Sequence, residues 1–570
     1  MKKVVAIGIQ DFEEIRTRDT FYVDKTDFIQ DWWNSGDDIT LITRPRRFGK
    51  TLNMSMMNCF FSNKYAGRSD LFEGLKVWED EEFRKLQGTF PVIFITFAGV
   101  KGTSYKSTLF MIKRELVMLY SSYPELYETD KLNQNERAAL DRITQDMSDE
   151  EAAMSLNLLS KLLEKIYGKK VLIFLDEYDT PMQEAYLNGY WDQMTTYIRT
   201  LFNNTFKTNP SLDRAIMTGI TRVSRESLFS DLNNLRVVTT TSGKYATAFG
   251  FTEEEVFQAL EDQGFAEKDK TEAKKWYDGF TFGNTPDIYN PWSIINLLQT
   301  GEYRTWWANT SSNGLVNQLV RQGNPELKMQ FETLLRGESI HACLDEEIVF
   351  NQLDDDPDAI WSLLLASGYL KVVYDPAAYR MRETSLLWGR MEYDLAITNL
   401  EVMFMFRNMV AGWFRKGGRT GAFARALLRG DAKEAQAYLN DIMLESMSSF
   451  DGGIGSGSRL PEKFYHGLVL GLLVTEAEHY QLKSNRESGY GRYDVVLEPR
   501  NVQDPAVIME FKVFDGSDET GLKDTAANAI KQIEEKKYDT DLLARGVPAE
   551  HILKYGFAFR GRECLIVKAE

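Results

Sequence analysis

A chain of 570 residues with 43% hydrophobic and 26% charged residues is too long for one hydrophobic core, and its composition excludes a disordered or fibrous protein. A formal net charge of −17 excludes a surface coated for nonspecific nucleic-acid binding, though not a local basic channel. Three cysteines and four histidines, all far apart in sequence, exclude zinc-ligand spacing, and no stretch nears the ~20 consecutive apolar residues of a membrane span, so a multidomain cytoplasmic protein without a membrane partner is expected.

The first half alternates. "DITLITR" (38–44) and "FPVIFITFAG" (90–99) are short β-rich runs, "SLNLLSKLLEKIYG" (155–168) has helical periodicity, and "KKVLIFLDEYD" (169–179) and "DRAIMTGITR" (213–222) are strand-like again. Such alternation predicts a parallel sheet with helices on both faces. From about residue 252 the texture becomes mostly helical and rich in aromatics. There Trp276, Tyr277, Tyr289, Trp292, Trp306 and Trp307 serve either as core or as a base-stacking platform. The acid-free stretch 407–430 is either a basic channel or a solvated connector. "SSFDGGIGSGSRLPEK" (448–463) reads as a linker or an inserted loop. A helix, the strands "GRYDVVLEP" (491–499) and "AVIMEFKVF" (506–514), a lysine-rich helix and closing strand-like residues follow. They predict a compact α/β unit, and the expected division is 1–251, 252–447, 448–463 and 464–570.

In "RPRRFGKT" (44–51), Gly49, Lys50 and Thr51 match the end of a phosphate-binding loop, G-x-x-x-x-G-K-[ST]. There the last glycine lets backbone N–H groups close on phosphates, the lysine meets the β- and γ-phosphates, and the hydroxyl ligates Mg²⁺. Arg44 stands in the first glycine's place, followed by Pro45, so the chain must enter the cradle by another path. Arg47 and Phe48, inside the loop, are expected nucleotide contacts. "VLIFLDEYD" ends an apolar strand in Asp176 and Glu177, the Walker-B arrangement of an aspartate at the Mg²⁺ shell and a glutamate that polarises the attacking water. The two motifs in this order predict ATP or GTP binding. After "AIMTGI", Thr221 is placed to sense the γ-phosphate, and Arg222 either stabilises transferred charge or caps acidic neighbours.

Asp494 lies on one C-terminal strand, and Glu510 and Lys512 on the next. Residues i and i+2 share a face of a strand, and a hairpin brings Asp494 opposite them. Two carboxylates that hold Mg²⁺ and a lysine that orients the activated water suffice for phosphodiester hydrolysis; a structural ion pair is the alternative.

With "FYVDKT" (21–26), "RPRRFGKT", "LDEYDTP" (175–181), "MTGITRVSRESLFSDLNNL" (217–235), "WYDGF" (276–280), "YNPWS" (289–293), "SNRESGYGRYDVVLEP" (484–499) and "EFKV" (510–513), the chain resembles a bacterial family joining an AAA-ATPase-like domain to a C-terminal PD-(D/E)XK superfamily nuclease-like domain. The resemblance implies a P-loop NTPase fold, a helical middle region and a restriction-endonuclease-like α/β domain. It implies ATP at Gly49, Lys50, Thr51, Asp176 and Glu177, with metal at Thr51 and Asp176. It implies a nuclease centre at Asp494, Glu510 and Lys512, the two acids holding metal, with Glu462, Glu487 and Gln532 as further candidates. DNA or RNA is the expected substrate. Homo-oligomers are expected if Arg222 or Arg225 reaches a neighbour's nucleotide, and a nucleotide-dependent switch is the competing expectation.

Overall fold

The computed structural model describes residues 3–221, 229, 232–308, 316, 319–320, 325–344, 359–373, 391–413, 420–448, 465, 469, 472–473, 479–488, 491–516, 519–561 and 563–569. The chain divides into two compact units, Met1–Leu315 with Ser339–Val402, and Val316–Glu338 with Met403–Glu570.

In the first unit, β1 (Ile39–Thr43), β2 (Val92–Thr96), β3 (Val171–Asp176), β4 (Leu212–Gly219) and β5 (Leu235–Val238) form a parallel sheet in the order β2-β3-β4-β1-β5. Every residue of β1 and β3 is buried, which is why both read as continuous apolar or β-branched runs instead of alternating ones. The helix Asp149–Tyr167 is fixed at its start by a capping box between Ser148 and Glu151 and at its end by left-handed Gly168. Trp32, Phe60, Phe61 and Phe174 belong to the core beside the sheet. The register sets Thr43 beside Gly219 and Thr96 beside Asp176, so β1, β3 and β4 end together at the carboxyl edge where open α/β sheets bind ligands.

The region expected to be mostly helical also holds two small antiparallel sheets. One orders β6 (Phe251–Thr252), β8 (Thr285–Tyr289) and β7 (Phe280–Phe282) as β6-β8-β7; the other orders β9 (Ile340–Leu344), β10 (Leu370–Val372) and β11 (Met391–Ile397) as β10-β11-β9. Of these, β6, β7 and β10 have only two or three residues, too short to display a period of two. Of the aromatic cluster, Tyr277, Tyr289 and Trp307 are buried.

The second unit is built on β12 (Tyr480–Ser488), β13 (Gly491–Pro499), β14 (Ala506–Val513), β15 (Ile552–Arg560) and β16 (Glu563–Lys568), ordered as numbered. Pairs β12–β13, β13–β14 and β15–β16 are antiparallel. β14 and β15 are parallel and are joined through the helix Leu522–Glu535. Alternation along β14 sends Val507, Met509 and Phe511 into one core and Ala506 and Ile508 into the other, beneath that helix. The helix lies so close to β15 that a Cβ on Gly556 would stand 2.4 Å from the Ala526 carbonyl oxygen.

Candidate functional site

The loop between β1 and the helix Lys50–Phe61 takes the different path that Arg44 demands. Its side chain is fully buried. Nη1 donates to the carbonyls of Thr43 (3.0 Å) and Thr239 (2.5 Å), Nη2 donates to that of Lys244 (3.2 Å), and the guanidinium stands 4.5 Å from the centre of the Phe282 ring. The residue in the first glycine's place is thus a structural bolt between the loop and the segment after β5. Gly49 caps the helix with φ 78°, a left-handed conformation that suits a residue without a side chain.

Surrounding aromatic residues hold the rest of the loop. Phe48 is buried edge-on against Phe280 and Phe282, and Arg47 stacks 4.3 Å from the centre of the Trp292 ring. The Arg46 carbonyl accepts from Asn290 Nδ2 (3.3 Å) and Trp307 Nε1 (3.0 Å). Behind these, Glu401 is fully buried. It accepts from Ser293 Oγ (2.8 Å) and from the N–H groups of Trp307 (2.6 Å) and Ala308 (3.3 Å). Burial raises its carboxyl to about 7, against the opposing pull of those donors. The "YNPWS" stretch and Trp307 therefore brace the loop, so Phe48 and Arg47 serve its shape as well as lining the cavity below.

Lys50 donates to the carbonyls of Arg44 (3.0 Å) and Pro45 (2.9 Å). Burial lowers its ammonium, while Glu177, Asp176 and Asp179 pull the other way. Thr51 Oγ1 donates to Asp176 Oδ2 at 2.7 Å, and Thr218 Oγ1 on β4 donates to Asp176 Oδ1. Burial raises the Asp176 carboxyl, opposed chiefly by these two hydroxyls. A hydroxyl and a carboxylate in contact, with a lysine nearby, are the oxygen donors and the counter-charge that Mg²⁺ and phosphates require. Glu177 has φ 52° and lines, with Arg46, Arg47, Phe48, Gly49, Lys50 and Thr51, a cavity of about 410 Å³ that runs to Phe21, Tyr22 and Trp292.

From β4, the hydroxyl that touches the Walker-B aspartate is that of Thr218. Thr221, read as the phosphate sensor, gives its hydroxyl to Asp179 Oδ2 (3.1 Å), which also accepts from the N–H groups of Ile220 and Thr221 at 3.0 Å each. Arg222 and Arg225 lie outside the described residues. Thr218 was visible in the sequence only as a polar residue inside an apolar strand.

In the second unit, Val495 faces Met509, so the next step of the ladder sets Asp494 beside Glu510. Asp494 Oδ2 accepts from the Phe511 N–H at 2.8 Å. Glu510 is buried. Gln532, on the helix above, donates to Glu510 Oε1 through Nε2 and accepts from Lys512 Nζ at 2.8 Å, so one amide ties the acid to the lysine. The expected trio is brought together with Gln532 as its fourth member. A residue the sequence did not announce, Tyr538, accepts from Gln532 Nε2 at 3.1 Å. Burial raises its hydroxyl, and the charges of Glu510 and Asp494 add to the effect. Two adjacent carboxylates on neighbouring strands are a donor set suited to a hard divalent cation. Glu462 lies outside the described residues, as does the side chain of Glu487.

Two regions of the chain match known families. Residues 6–229 match the family described as "Predicted AAA-ATPase", and residues 460–569 match the "PD-(D/E)XK nuclease superfamily". The class is therefore an AAA-ATPase-like domain joined to a PD-(D/E)XK superfamily domain. A curated relative, "Uncharacterized protein in vnfD 5'region" of Azotobacter chroococcum mcd 1, is 30% identical over 330 residues. The match spans 56% of this chain and 57% of that protein. Among the described residues no helix is long and apolar enough to cross a membrane.

Proposed function

We propose that the protein is an ATP-binding and ATP-hydrolysing enzyme whose nucleotide module controls a Mg²⁺-dependent nuclease centre acting on DNA or RNA. Residues 1–251 form the nucleotide module in this reading, 252–447 the middle or lid region, 448–463 a linker or loop and 464–570 the nuclease. The observation that carries it is that residues distant in sequence meet at two places: Thr51 and Asp176, joined by Thr218, at one, and Asp494, Glu510, Lys512 and Gln532 at the other.

Lys50 is available to exchange the loop carbonyls for β- and γ-phosphate oxygens, Thr51 and Asp176 hold the metal side of the nucleotide, and Glu177 polarises water at the cavity mouth. Asp494 and Glu510 hold the metal at the second site, and Lys512, steered by Gln532, orients the attacking water. Bound magnesium supplies charge neutralisation at the triphosphate and lowers the pKa of a water at the nuclease centre. The test measures phosphate release from ATP by the wild type and Lys50→Ala, and cleavage of plasmid, single-stranded DNA and RNA by the wild type and Asp494→Ala with Mg²⁺ or Mn²⁺. Each activity should disappear in its own variant. Turnover or cleavage that survives its variant refutes the assignment of that site.

A further inference from the structure

The loop carries three arginines, and the structure gives them three different tasks. Arg44 is sealed among carbonyls and Phe282, and Arg47 stacks on Trp292. Arg46 is half-buried and lines the cavity beside Lys50 and Glu177. Its Nη2 donates to Gln183 Oε1 at 3.2 Å, and Gln183 in turn donates Nε2 to Asp179 Oδ2 at 2.9 Å. Asp179 is 1% exposed, and through the same oxygen it holds the backbone at the end of β4. One buried carboxylate thus fixes the strand end and, through Gln183, the direction of Arg46.

The choice of an amide as partner is the informative feature. A carboxylate would neutralise the guanidinium, whereas the amide oxygen occupies one donor of Arg46 and leaves its charge and remaining donors intact. Among the described residues Arg46 forms no ion pair. A guanidinium held in a fixed direction with its charge uncancelled, in the same cavity as the phosphate-loop lysine, suits a polyanion.

We propose that Arg46 is the arginine that binds the terminal phosphate of the nucleotide and stabilises the charge developing there, with Gln183 and Asp179 as its positioning residues. This rests on the nucleotide reading above and deepens it. The arginine is supplied from within the phosphate loop itself, so a neighbouring subunit is not needed for that role.

The experiment titrates the intact chain, with Mg²⁺, against AMP-PNP and ADP by calorimetry, for the wild type, Arg46→Ala, Arg46→Lys and Gln183→Ala, with thermal unfolding to check the fold of each. The wild type should prefer AMP-PNP. In Arg46→Ala the AMP-PNP affinity should fall roughly tenfold to hundredfold with that for ADP nearly unchanged. Arg46→Lys should recover part of the loss, and Gln183→Ala should lower the preference without abolishing it. An unaltered preference in Arg46→Ala, or an equal loss for both nucleotides, overturns the role of Arg46 and leaves the nucleotide site standing. A wild type that binds neither nucleotide overturns the nucleotide reading itself, and this inference with it.

Discussion

Glu401→Gln isolates the titration of the carboxyl that anchors the brace behind the phosphate loop. The amide can keep these contacts: its oxygen accepts from the Trp307 and Ala308 N–H groups, and its nitrogen donates to Ser293 Oγ with that hydroxyl reversed. What changes is titration. Burial lifts the folded-state carboxyl from 4.5 to about 7, so between those values the folded protein binds more protons than the unfolded chain, and stability falls as pH rises through the window. At 1.36 kcal/mol per unit the full loss is on the order of 3 kcal/mol. The loss is absent below the lower value and complete above the upper one, and the variant does not have it. Urea unfolding followed by tryptophan fluorescence from pH 5 to pH 8 should show the variant gaining stability over the wild type steadily with pH, most of it before pH 7.5. Parallel pH curves for the two proteins would refute the argument that burial disfavours the charged form of Glu401.

Three further outcomes follow from the same contacts. Arg44→Gly, which restores the usual loop glycine, should cost more than about 2 kcal/mol in urea unfolding because it strips donors from three carbonyls; unchanged stability would show that the bolt is dispensable. Thr218→Val should weaken Mg²⁺-dependent nucleotide binding by about tenfold, since Asp176 loses one of its two hydroxyl donors; calorimetry with and without Mg²⁺ reads it, and an equal loss in both conditions would contradict the placement of Asp176 at the metal. Gly556→Ala should destabilise the second unit by about 1–3 kcal/mol, because the new methyl meets the Ala526 carbonyl; a neutral result in urea unfolding would deny the close packing of helix on sheet.

The residues legible in the sequence are those whose geometry is local. Gly49, Lys50 and Thr51 follow a strand and open a helix, Asp176 and Glu177 end an apolar strand, and Glu510 and Lys512 are two apart on β14. Period and position alone then say which way they point. The residues that were missed act across the chain. Arg46 meets a glutamine 137 positions away, and Thr218 meets an aspartate 42 positions away. Glu401 reaches the loop only through Trp307 and the "YNPWS" stretch, and nothing in its neighbours "NLEVM" sets it apart from a solvated helical glutamate. That Asp179 turns inward to take the Thr221 hydroxyl was not visible in the sequence either. The small sheets β6–β8 and β9–β11 were missed because tertiary pairing, not a strong β pattern, makes them strands.

The central claim is that nucleotide at one site governs phosphodiester cleavage at the other. It is tested by incubating purified protein and Mg²⁺ or Mn²⁺ with plasmid, single-stranded DNA and RNA, with and without ATP, beside Lys50→Ala and Asp494→Ala. The account predicts cleavage that Asp494→Ala abolishes and whose response to ATP is lost in Lys50→Ala. ATP turnover with no cleavage of any substrate would contradict it and assign the protein instead to nucleotide-dependent switches.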